Sequence, residues 1–434
     1  MSSSSKASER INALLDDNSF VEVGALVTAR STNFNVKPEQ TPSDGVITGY
    51  GTIDGSLVFV YSQDSTVLGG SIGEMHAKKI TGLYDLALKT GAPIIGLLDS
   101  AGLRLQEGTD ALNAFASIYA KEAEASGVIP QIAAVFGNCG GGLAVAAGMA
   151  DFAFMADDAK LFVNSPNALA GNSEDKKDTA AAGFKAEAGA VDAHGTEEEV
   201  LAKIRALVSI LPSNNEDEAA EECEDDLNRA SANVAAGIAD PAAAAADLSD
   251  GNLFVETRAE YAKEMATGFI KLNGETVGLI ANRTASYDEK GETAAEFKPV
   301  LTVAGTEKAA DFVNFCDAFE IPVVTLTNVS GFCTCECAEK KIAKNAAKLA
   351  AAFAGATVPK VNVVVGDAFG SAYTVMNSKA LGADITMALP DARIGMMDGN
   401  LAAQIIAAGK DSAEVAETAS KSAQIIDLGR SAGG

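Results

Sequence analysis

The chain has 434 residues, more than one ordinary domain holds, and two domains are expected. Hydrophobic residues make up 47% of it, which excludes a disordered polymer. A formal charge of −26 excludes direct nucleic-acid binding, which rests on Lys and Arg neutralising phosphates, so any anionic ligand must meet a local basic patch.

The N-terminal Met1-Ser-Ser-Ser-Ser-Lys6 has no apolar core for a signal peptide, and no apolar run approaches the ~18 residues of a membrane span. A cytoplasmic protein is expected. The six cysteines, Cys139, Cys223, Cys316, Cys333, Cys335 and Cys337, do not suggest a disulfide scaffold in a chain this long, since such scaffolds belong to short secreted domains, and are expected as reduced thiols.

In chain order, Gly49-Tyr-Gly-Thr-Ile-Asp-Gly55 predicts a strand-turn-strand hairpin, followed by an apolar strand, Pro93 to Ser100, ending in a Ser/Gly turn. An alanine-rich helix over 111–125, a strand over 132–136 and a helical run over 144–149 come next. The Ala, Asp and Glu-rich stretch from about Asn214 to Asp250 suits an exposed linker or a helix with a solvated acidic face, giving domains of 1–247 and 248–434. The pattern then repeats, with a hairpin at Gly268 to Gly274, a strand from Pro322 to Ser330, a helix over 342–354 and a strand over 361–365.

Fixed intervals identify the repeat as a duplication. Pro93 to Pro130 is 37 residues, as is Pro322 to Pro359, and Pro130 to Gly141 is 11, as is Pro359 to Gly370. Asp151 and Asp158 are 7 apart, as are Asp384 and Asp391. Strands alternating with helices predict parallel β-α-β units in each copy.

The site candidates are glycines. Asn138-Cys-Gly-Gly-Gly-Leu143 lies between a strand and a helix, where glycine permits positive φ and the first helical N–H groups stay unpaired. Such a turn can serve as an oxyanion hole, or can simply permit tight helix-strand packing. Asp367-Ala-Phe-Gly-Ser-Ala-Tyr373 holds the same place in the second copy. Neither a dinucleotide fingerprint nor a P-loop is present. Only His76 and His194 could move protons as imidazoles, and a lone His is more often a surface or packing residue. Cys333-Thr-Cys-Glu-Cys337 lacks a second ligand pair at zinc spacing, so no metal is expected.

Further segments stand out: Ala7 to Leu15 with Ser19-Phe-Val-Glu22, Ser62 to Ser71, Gly73-Glu74, Asp99 to Gly108, Leu211-Pro-Ser-Asn-Asn215, and Ser371 to Asp384. On these the chain resembles the carboxyltransferase subunits of biotin-dependent acyl-CoA carboxylases and the related sodium-pumping decarboxylases, of the propionyl-CoA carboxylase beta and methylmalonyl-CoA decarboxylase alpha types. The likeness covers nearly the whole chain. It implies an α/β fold of two duplicated crotonase-like (ClpP/crotonase) β-β-α superhelix domains, and a homo-oligomer, a dimer or trimer of dimers. The active site would lie where the N-terminal half of one subunit meets the C-terminal half of another.

The resemblance also implies roles. Amides of Gly141 and Gly142 would hold the thioester oxygen of acyl-CoA, while Gly370, Ser371 and Ala372, with Phe369 and Tyr373 beside them, would hold biotin. Ser100, Ala101, Gly102 and Arg104 would line the coenzyme A path. Carboxyl transfer between biotin and an acyl thioester develops two oxyanions, which suits two backbone holes. The chain has no Met-Lys-Met biotin acceptor, so a biotin carboxyl carrier protein is an expected partner, with biotin carboxylase or membrane decarboxylase subunits. The protein would then be cytoplasmic or peripheral to a membrane complex. Small neighbours such as Leu143 and Ala144 favour a short acyl group, propionyl or methylmalonyl. The chain departs from the family in reading Gly-Ser-Ala for Gly-Gly-Ala at 370–372, and Cys-Thr-Cys-Glu-Cys-Ala after Phe332 where the family carries Gly, Glu and His. Two other readings are a biotin-independent acyl-CoA hydratase or isomerase using Glu74 or Glu107, and a non-catalytic scaffold for a biotin carrier.

Overall fold

The computed structural model describes residues 5–32, 34, 40–170, 177–217, 223, 225–226, 228–230, 238–287, 290–406, 408 and 413–421. The chain divides into two compact units, Met1–Ala219 and Ala220–Gly434.

In the first unit, α1 (Lys6–Leu14) precedes β1 (Val21–Val23), β2 (Val46–Ile53) and β3 (Ser56–Gln63). Then come α2 (Glu74–Thr90), β4 (Ile94–Ser100), α3 (Thr109–Ala125), β5 (Gln131–Gly140) and α4 (Gly142–Met149). β6 (Phe152–Ala156), β7 (Lys160–Phe162), α5 (Ala182–Glu187), β8 (Ala193–Gly195) and α6 (Glu197–Ile210) complete the unit. The sheet runs β1-β2-β3-β4-β5-β6-β8, with β7 also on β5. β2 and β3 form the expected antiparallel hairpin, whose Asp54-Gly55 turn has both φ values positive. From β3 to β8 every pairing is parallel. Ile94, Ile95, Leu97 and Leu98 of β4, like Ile132 to Val135 of β5, are all buried, which is why these strands read as unbroken apolar runs rather than alternating ones.

The second unit opens with α7 (Pro241–Leu248), β9 (Val255–Thr257), β10 (Met265–Leu272) and β11 (Glu275–Asn282). It continues with the hairpin β12 (Ala285–Tyr287) and β13 (Thr293–Glu296), then β14 (Val300–Leu301), α8 (Val303–Ala318), β15 (Val323–Val329) and β16 (Gly331–Phe332). α9 (Glu336–Glu339), α10 (Ile342–Gly355), β17 (Lys360–Phe369), α11 (Gly370–Val375), β18 (Ile385–Ala388), β19 (Arg393–Gly395) and α12 (Gly399–Ile406) follow. Its main sheet runs β9-β10-β11-β15-β17-β18, with β19 also on β17. Again a hairpin leads into parallel strands.

The duplication therefore extends to pairing detail. Register shifts fall between Leu98 and Ser100 in β4 and between Thr327 and Val329 in β15, at matching positions. The repeated aspartates cap their central strands: Gln131 N–H donates to Asp151 and Lys360 N–H to Asp384, each at 2.8 Å.

The division between units precedes the expected 247/248 boundary. α7 belongs to the second unit, where Ala244 and Ala245 are buried with Ile270, Val277 and Leu279. An alanine run has the composition of a linker, yet its short side chains let a helix settle closely on a sheet.

Candidate active site

β5 ends at Gly140, and the chain turns through Gly141 (φ +60°, ψ −125°) into α4. A Cβ on Gly141 would meet nothing within 4 Å, so this side of the turn is open to a ligand. The Gly141 N–H, expected as an oxyanion donor, instead donates to Phe162 O at 2.9 Å. The physical reason is the β5–β7 ladder: Gly140 pairs with Phe162, and the next amide simply continues it. The next two amides, of Gly142 and Leu143, open α4 and have no partner within the helix.

α3 holds this turn from behind. Tyr119 Oη donates to Gly142 O at 2.6 Å, and a Cβ on Gly142 would stand 2.8 Å from that hydroxyl and 3.3 Å from Phe115. Phe115 and Tyr119 stack at 6.0 Å, an i, i+4 pair on one helix face. Sequence reasoning missed Tyr119, although that spacing was readable.

The expected coenzyme A segment lies beside the turn, since Ser100 pairs with Cys139 and a Cβ on Gly102 would be 3.7 Å from Gly140 O. Its side chains divide. Ser100 is buried and its hydroxyl accepts from Gly102 N–H, while Ala101, Leu103 and Leu105 face outward. Arg104, expected to line the path, is instead 2% exposed and fully engaged inside the unit. It pairs with Asp44 at 2.6 Å and Glu107 at 3.1 Å, and donates to Ser71 O at 2.6 Å. A turn alternates inward and outward positions, and Arg104 falls on the inward one.

Both histidines are held. Nδ1 of His76 lies 3.0 Å from Asp44 O and Nε2 is 3.3 Å from Gln63, and burial, with the Arg104 charge nearby, pushes its pKa down to about 3. His194 pairs with Asp157 at 2.6 Å. The carboxylates weighed for hydratase chemistry are also occupied. Glu107 accepts from the first amide of α2 as well as from Arg104, and Glu74 pairs with Arg30 and Lys78. These four side chains are therefore committed to structure.

In the second unit β17 ends at Phe369 and turns through Gly370 (φ +59°) into α11. Gly370, Ser371 and Ala372 open α11, where the first helical N–H groups have no partner within the helix. Ser371 is exposed and Ala372 buried, so the hydroxymethyl that departs from the expected glycine points to solvent. Phe369 is buried under the Arg393 guanidinium, 5.5 Å from its ring centroid, and Arg393 is clamped by Asp367. Tyr373 is half-buried against Val364, Ala368 and Ala392. Phe369 thus supports the turn from within, leaving Tyr373 as its aromatic neighbour.

Each turn is also shaped by a polar residue on the adjacent strand. Cβ atoms on Gly137 and Gly366 would lie 2.0 Å from Asp99 Oδ1 and 2.5 Å from Asn328 Oδ1. Asp99 pairs with Arg10 at 3.3 Å, and Asn328 accepts from Asp367 N–H at 3.0 Å. No group of three or more His, Cys, Asp or Glu able to hold a metal occurs among the described residues.

A duplicated α/β protein with a glycine-led turn opening a helix in each unit offers backbone amides of the kind that can stabilise oxyanions. The carboxyl transferase domain model matches residues 3–430, and the chain belongs to this family. It is 39% identical over 418 residues to the propionyl-CoA carboxylase beta chain of Roseobacter denitrificans, covering 93% of this chain and 80% of that protein. It is 36% identical over 441 residues to the methylmalonyl-CoA decarboxylase alpha subunit of Propionigenium modestum, covering 97% and 82%. The crystal structure of transcarboxylase 12S, a hexamer with methylmalonyl-CoA and methylmalonic acid bound, matches with a TM-score of 0.87 at 34% identity, over 96% of this chain and 82% of that one.

Proposed function

We propose that this carboxyltransferase moves a carboxyl group between biotin, borne by a separate carrier protein, and a short-chain acyl-CoA such as propionyl-CoA or methylmalonyl-CoA. The observation that carries the reading is the pair of turns: two units of one topology each pass from their central strand through a left-handed glycine into a helix whose first amides have no partner within it. Similarity to proteins named for both propionyl-CoA carboxylation and methylmalonyl-CoA decarboxylation supports the substrate class.

When bound, biotin supplies the ureido group that carries the carboxyl and the nitrogen that takes up the acyl α-proton. In the first unit the Gly142 and Leu143 amides hold the thioester oxygen as charge grows on it, and Tyr119 fixes the peptide between them by donating its hydroxyl to Gly142 O. The open side of Gly141 admits the acyl group. Ala101 and Leu103 give the coenzyme A path an apolar wall. In the second unit the Gly370, Ser371 and Ala372 amides hold the ureido oxygen, with Tyr373 flanking. The protein works as a homo-oligomer with a biotin carboxyl carrier protein, and with biotin carboxylase or membrane decarboxylase subunits that set the direction. No helix among the described residues is long and apolar enough to cross a membrane.

Hydrogen exchange tests this division. Methylmalonyl-CoA should slow exchange at residues 140–143, and biotin at 370–373. Protection of a single turn by both ligands would overturn the assignment of separate oxyanions.

A further inference from the structure

The three cysteines after β16 gather into one cluster. Cys333 Sγ lies 3.5 Å from Cys335 Sγ, and Cys335 Sγ lies 2.7 Å from Cys337 Sγ. Cys333 is partly buried, Cys335 and Cys337 are exposed, and all are free thiols. Cys335 caps α9, its sulfur accepting from Ala338 N–H at 3.3 Å. The Cys337 thiol, and then that amide, hold the Cys335 thiol below its usual range. A thiolate is the nucleophile in disulfide exchange, so Cys335 is poised to attack and Cys337 to resolve.

We propose that Cys335 and Cys337 form a reversible thiol-disulfide couple driven by low-molecular-weight disulfides, and that it acts on the second glycine turn. The Cys335 thiolate attacks a disulfide RSSR, forming a Cys335–SR bond and releasing RS⁻. The Cys337 thiolate then attacks the Cys335 sulfur, forming the protein disulfide and releasing a second RS⁻. The two thiol protons pass to the two leaving groups, so two protein thiols are oxidised and RSSR is reduced to two RSH. The link to the turn is mechanical: Cys333, directly after β16, donates its N–H to Leu301 O at the end of the paired strand β14, and β16 packs on α11, which starts at Gly370. This link rests on reading residues 370–372 as the biotin-side site.

The full-length protein is equilibrated with mixtures of reduced and oxidised glutathione, quenched with a maleimide, digested and weighed. The segment carrying Cys333, Cys335 and Cys337 should fall from three alkylated thiols to one as glutathione disulfide increases, and recover with dithiothreitol. Cys333→Ser should fall from two to none. Three thiols that stay alkylated, or that each carry only glutathione, would overturn the couple, whatever the enzyme's activity. In parallel, carrier-dependent carboxyl exchange should slow roughly tenfold on oxidation, a part of the ~10² to 10³ that a whole oxyanion donor contributes. Cys335→Ser should keep the reduced-state rate and lose the response. A couple that forms without changing the rate would overturn the link to the turn.

Discussion

At Gly142 a side chain would collide with the Tyr119 hydroxyl 2.8 Å away and push the amide it follows out of line. Gly142→Val should therefore lower carboxyl transfer by ~10² to 10³ in a protein that still assembles, and undiminished steady-state turnover would refute the role of this turn. Tyr119→Phe removes only the hydrogen bond to Gly142 O, a net contribution of ~0.5 to 1.5 kcal/mol. Its kcat should fall several-fold while KM for acyl-CoA and the melting temperature hardly move; equal changes in all three would mark Tyr119 as merely structural. The left-handed turns were legible because glycine is the residue that adopts them freely, but which amide remains unbonded was not. That depends on β7 reaching Gly141 through Phe162, a pairing that closes around α4 and β6.

Glu122 on α3 sits behind Tyr119, 3% exposed, and burial pushes its carboxyl up to about 8. Between the ordinary carboxylate range and about 8, the folded state keeps a proton that the unfolded state has released. Stability from this group is therefore lost as pH rises through that window, by at most ~1.4 kcal/mol per pH unit. His76 has the opposite sign, since a depressed imidazole costs stability as pH falls below its ordinary value of 6.5 towards about 3. Urea midpoints at pH 5.5 and 8 should show that Glu122→Gln flattens the alkaline decline relative to wild type; parallel curves would contradict the buried neutral carboxyl.

Among the elements, β5 and β17 explain most of what the sequence intervals meant. Both begin with an amide held by a repeated aspartate and end in a left-handed glycine, so the spacing from Pro130 to Gly141 and from Pro359 to Gly370 is the length of one strand. Gly137 and Gly366 keep the middle of these strands clear for Asp99 and Asn328 on the neighbouring strand. Gly366→Ala should destabilise the second unit by ~1 to 3 kcal/mol through overpacking, and adding Asn328→Ala should restore part of it. Additive losses in the double-mutant cycle would mean the two positions do not meet. Arg104 shows where sequence patterns stop. Its segment lies beside the turn, yet its guanidinium is spent on Asp44, 60 positions earlier, and no local period encodes that pairing.

For the whole molecule, the fold was legible as two copies because duplicated strands keep their lengths, whereas the division between them was not, because an alanine run serves equally as linker or packed helix. The chemistry follows from the same economy: His76, Glu74 and Glu107 are committed to hydrogen bonds and ion pairs, and the first backbone amides of α4 and α11 remain. Transfer of labelled carboxyl between a panel of CoA thioesters and an added biotin carrier tests this account most directly. Exchange with methylmalonyl-CoA and propionyl-CoA is predicted, with overlap onto acetyl-CoA and butyryl-CoA because one methylene changes apolar binding by only ~1 to 3 kcal/mol. Label exchange with oxaloacetate or another acid lacking coenzyme A, and with no thioester, would contradict it.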